Sequence, residues 1–167
     1  MTDGEGTMYA FFYLTTWSIL LLTAENLLRA AGLTVPLLGF FLAAASLAIS
    51  ARMALFFAFV FGIMLDFAAG YSAPWSGILL PLLTVPAFLL NGKRGSSGVM
   101  EFLGGALIPP VMALPHLRSV LTTPEGFASL FATCLLGAVL FPVMLALVAR
   151  SAVSLRIGAA GTGRGGW

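Results

Sequence analysis

Between Arg52 and Lys93 the chain carries a single charged residue, Asp66. A soluble domain needs a charged surface over that distance, and none is encoded. Apolar runs of this kind read as helices that cross hydrocarbon. The rest of the chain agrees. Of its 167 residues 60% are hydrophobic and 8% charged, and the mean hydropathy is +1.05. The expected class is an all-α integral membrane protein with a single domain.

The charges and turn residues divide the sequence into about six transmembrane helices. A helix needs roughly 17–25 apolar residues to span a bilayer. The expected spans are about 8–28, 33–50, 52–69, 74–90, 99–114 and 124–149. They make up one transmembrane domain over residues 1–157, followed by a flexible Gly-rich tail at 158–167. Pro36 falls near the first turn of the second span, where proline is tolerated. Pro109, Pro110 and Pro115 crowd the fifth, which should be short, kinked or broken. The start MTDGEGTMYA has Asp3 and Glu5 but no Lys or Arg, so the first apolar run is expected to be retained rather than cleaved.

Lys and Arg placement sets the expected orientation. With the N-terminus inside, Arg52, Lys93, Arg94, Arg150, Arg156 and Arg164 are cytoplasmic, and Arg29 and Arg118 are external. Both termini are then cytoplasmic. The basic residues are scattered, which argues against a nucleic-acid partner. Cys134 stands alone and can make no intrachain disulfide.

Catalytic patterns are weak. The stretch GSSG, Gly95 to Gly98, is matched by no nearby base. His116, the one histidine, lies a full span away, roughly 27 Å at about 1.5 Å per residue. There is no Cys/His cluster for zinc and no phosphate-binding loop. The chain reads as a non-enzyme with no cofactor or metal.

Asp66 is the residue that demands a reason. Gly62, Asp66 and Gly70 are spaced by four, so they share one helical stripe, which Ala58 extends. Small residues at that spacing let a neighbouring backbone approach in lipid, so the stripe should face protein. A carboxylate in the last turn opposes its own helix dipole and needs a partner. Candidates are Arg29, Arg118, the Trp75 indole, Ser72, Ser76 and the backbone at the start of the fourth helix. Three roles stay open: a cap that fixes the turn, part of a recognition surface or pocket, or a proton-coupling group. Glu25 and Arg29 are spaced for a local ion pair.

The stretch FGIMLDFAAGYSAPWSG, preceded by two apolar spans, resembles the rod shape-determining MreD family. That family carries a helix reading G-x-x-x-D, a small turn with a glycine, and a glycine opening the next helix. Gly62, Asp66, Gly70 and Gly77 stand at those positions, and Pro36 matches a common family feature. As a motif the resemblance covers about residues 33–90. The segment IPPVMALPH and the tail depart from it.

The resemblance implies a non-enzymatic scaffold of the bacterial elongation machinery, active in cell shape and peptidoglycan synthesis. It implies MreC as partner, and indirectly MreB, RodA and a class B penicillin-binding protein. The implied fold is similar to the S component of energy-coupling factor transporters. On that reading Asp66 pins the turn, while Tyr71 and Trp75 offer aromatic contact area beside Arg29. The S-component likeness supplies an alternative, a binding subunit for a small solute such as a vitamin. That alternative needs a polar cavity, and the sequence shows few polar side chains to line one. It also favours alanines four apart on the first helix, whereas Ala10 and Ala24 are far apart.

Overall fold

A computed structural model of the chain describes residues 3–70, 73–90 and 98–155. Every described element is helical. In chain order they are α1 (Asp3–Ala30), α2 (Leu37–Ala48), α3 (Ala51–Ala68), α4 (Trp75–Leu90) and α5 (Gly98–Met112). A 3-10 turn (Leu114–His116), α6 (Leu117–Thr122) and α7 (Pro124–Ser154) follow. Three helices are long and apolar enough to cross a membrane: α1 over Gly6–Ala30, α3 and α7. Apolar stretches in α2, α4 and α5 are shorter than a span.

The shortest of the core helices is also the most enclosed. α2 has 12 residues and measures about 18 Å, well under a bilayer core of about 30 Å. Leu38 through Ser46 are all buried. A helix that is apolar on every side lies either in lipid or inside protein. Here α1, α3, α4, α5 and α7 surround it. The expected span 33–50 is therefore trimmed at both ends. Pro36 sits at the N-cap, just outside the helix, and restricts Val35 to extended backbone. At the other end Ser50 leaves α2 and caps α3, its Oγ accepting from the Met53 N–H.

Two glycine crossings bring helices together. A methyl group at Gly62 would lie 2.5 Å from the Ser76 carbonyl oxygen and 2.8 Å from the Gly77 Cα, so α3 and α4 meet backbone to backbone. Gly105 of α5 and Gly137 of α7 meet the same way: a methyl on either would strike the other's carbonyl oxygen. Pro109 explains part of this. Without an N–H it leaves the Gly105 carbonyl unclaimed by its own helix, and that oxygen is the one facing Gly137.

The break in the fifth segment falls after the paired prolines rather than at them. α5 runs through Pro109 and Pro110 to Met112, and the chain then turns through Pro115 into the short α6. This extra helix lies between the fifth and sixth expected spans, where the sequence suggests only a loop.

The outside of the bundle is greasy. Phe131, Leu135, Val139, Val143 and Leu147 form an exposed stripe along α7, and Phe56, Phe59 and Phe67 stand out from α3. A soluble monomer rarely exposes apolar surface on this scale. The protein is an all-helical, membrane-associated bundle.

Candidate functional site

The C-terminal ends of α1, α3 and α5 meet the N-terminal ends of α2, α4 and α7 at one end of the bundle. Two carboxylates sit there, each at the end of a buried stripe. On α3 the stripe is Ala54, Ala58, Gly62 and Asp66; on α1 it is Ala10, Leu14, Ser18 and Glu25.

Asp66 is 2% exposed. Its Oδ2 accepts from the Ser76 N–H at 2.6 Å and from the Gly77 N–H at 3.2 Å. Those are the second and third residues of α4. The helix is preceded by Pro74, which has no side-chain acceptor to cap it. The carboxylate thus opposes the dipole of α3 but meets the positive end of α4. The other oxygen, Oδ1, is buried and has no hydrogen-bond partner among the described residues.

Glu25 repeats the device. It is 4% exposed, and its Oε2 accepts from the Leu38 N–H at 3.1 Å, at the start of α2. Pro36 holds the N-cap there without a capping side chain. Oε1 pairs with Arg29 at 3.4 Å. The local ion pair expected from spacing is present, but it is half of the arrangement. The signal for the other half was in the sequence. Both helices open directly after a proline, and in both cases an apolar helix ending in an acid comes just before.

The remaining sequence candidates separate. Gly70 is not on the buried stripe. α3 ends at Ala68, and Gly70 is exposed in the turn, with a φ of +72° that a side chain would strain. Gly77 faces Ile63, where a methyl would lie 2.7 Å from Cγ1. Trp75 opens α4 and is about half exposed. Arg29 pairs with Glu25. Tyr71, Ser72, the serines of GSSG and the tail lie outside the described residues, as do the side chains of His116 and Arg118. Among the described residues no three His, Cys, Asp or Glu side chains gather to hold a metal ion.

Between these helix ends lies a partly enclosed cavity of about 310 Å³. Glu25, Arg29, Asp66 and Ser76 line one side, and Ser129 and Thr133 of α7 contribute hydroxyls from another. No family model, curated protein or solved structure matches this chain. The cavity departs from the sequence expectation that polar lining is scarce. Its polar groups come from four helices and are far apart in sequence, so no local pattern announces them. A space of this size falls at the lower end of small-molecule pockets.

Proposed function

We propose that the chain is a non-enzymatic multi-pass scaffold of the bacterial cytoplasmic membrane, of the MreD kind. In this role it binds an MreC-type partner and, through it, the elongation machinery. The observation that carries the reading is the α3–α4 junction. Gly62, Asp66, Gly70 and Gly77 bear the resemblance, and each has a task at that one junction. Gly62 and Gly77 admit the close backbone approach, Asp66 caps α4, and Gly70 turns the chain.

In this reading the chain makes six passes, with the short α2 running inside the bundle rather than spanning the hydrocarbon by itself. Their alternation leaves both chain ends on one side, and the bias of Lys and Arg makes that side cytoplasmic. Asp66 then lies at the external mouth. Trp75, half exposed beside it, is the anchor offered to a partner.

Deleting the gene from its own bacterium tests this. The cells should lose rod shape, and the tagged protein should capture an MreC-type protein with one membrane span. Rods that persist without the gene, together with an empty capture, would sink the scaffold reading.

A further inference from the structure

We propose that the cavity among Glu25, Asp66 and the α7 hydroxyls binds a primary ammonium group carried on an apolar body, with the Asp66 carboxylate as its counter-charge. This goes beyond the scaffold role and does not depend on it.

The unfilled valence is specific. Asp66 Oδ2 is engaged by two backbone N–H groups, whereas Oδ1 is buried without a donor among the described residues. A buried carboxylate oxygen left in that state is costly, and what it lacks is a donor. Of the three charged side chains lining the cavity, Glu25 and Arg29 are paired with each other. The carboxylate beyond that pair is Asp66. A cationic nitrogen answers both deficits at once, because a charge-assisted hydrogen bond is stronger than a neutral one.

An anion is disfavoured by the same geometry. Three helix N-termini converge here, a common anion site. Their N–H groups at Leu38, at Ser76 and Gly77, and at Gly126 are already held by Glu25, Asp66 and Thr123. The rest of the lining includes Val35, Pro36, Met112, Ala113, Val120 and Leu130, which suit an apolar body. Ser129 and Thr133 can accept the remaining ammonium hydrogens. The ammonium can come from a free amine or from the headgroup of an aminophospholipid, and the chemistry at Asp66 is the same.

The test uses the full chain in nanodiscs of phosphatidylcholine, which has no primary amine. Benzylammonium is the probe and benzyl alcohol its neutral comparator. Benzylammonium should bind saturably by calorimetry and raise the unfolding temperature; benzyl alcohol should do neither. Asp66→Asn keeps an amide oxygen for the Ser76 and Gly77 N–H groups but removes the negative charge beside the cavity. It should weaken benzylammonium binding roughly tenfold or more. Ala113→Leu fills the cavity without touching the cap, should also abolish binding, and serves alone if the first variant does not fold. Adding phosphatidylethanolamine to the discs separates the sources. Competition, with one such lipid retained by the wild type and lost from the variants in native mass spectra, assigns a headgroup. Benzylammonium binding without competition assigns a free amine. Equal binding of benzyl alcohol, binding unchanged in either variant, or neither saturable binding nor a retained aminophospholipid overturns the proposal.

Discussion

Asp66 Oδ2 lies 2.6 Å from the Ser76 nitrogen, so the end of α3 supplies the cap that Pro74 denies to α4. Glu25 stands in the same relation to Leu38, across the turn between α1 and α2. In water an uncapped helix end can bond to solvent. At the end of an apolar bundle the donors need a fixed partner, and a neighbouring carboxylate provides one.

Asp66→Ala should therefore destabilise the fold by about 1–3 kcal/mol, because two buried N–H groups lose their acceptor. Asp66→Asn should cost less, since its amide oxygen can still accept. Thermal unfolding of the purified protein in one detergent ranks the three chains. Equal stability of the alanine variant and the wild type would remove the capping role.

The α3–α4 crossing leaves no room for a side chain. Gly62→Ala sets a methyl 2.5 Å from a backbone oxygen, so α4 must move, at about 1–3 kcal/mol. Gly6→Ala is the control: nothing lies within 4 Å of that site on α1. In a helix that change should be neutral or stabilising by up to about 1 kcal/mol. Equal unfolding temperatures in the two variants would mean that the α3–α4 crossing has room for a methyl group.

Gly105 and Gly137 make the second crossing, and their effects should not add. Either alanine alone separates α5 from α7, so the second meets a contact already opened. The double variant should lose clearly less stability than the sum of the singles. Simple additivity would place the two glycines in independent environments.

Glu25→Gln keeps an acceptor for the Leu38 N–H and gives up the charge that pairs with Arg29. Glu25→Ala gives up both. The alanine variant should be the less stable by about 0.5–2 kcal/mol. Should the two prove equal, the ion pair rather than the cap carries the contribution of Glu25.

Alternating helix directions put the turns at residues 33 and 73 at one end of the bundle and residues 6 and 154 at the other. Single cysteines at Leu33, Ala73, Gly6 and Ser154, in a Cys134→Ala background, test this in intact cells. An impermeant thiol reagent should label the first two from one side and the last two from the opposite side. Leu33 and Ala73 reacting from different sides would break the alternation.

The sequence by itself determined the class of the molecule and the composition of its helices. One charge between Arg52 and Lys93 is enough for that, because hydropathy is a sum over residues and needs no partner. It also marked Gly62, Asp66 and Gly77, since close approach and an isolated acid leave local signs. Tertiary structure decided the rest. The 12 residues of α2 become the centre of the bundle because five other helices cover them, which their own composition does not encode. That the helix ends bearing Asp66 and Glu25 surround one cavity with Ser129 and Thr133 depends on elements distant in sequence. Hydrogen bonds and cavities are relations between chain segments, and only folding brings those segments together.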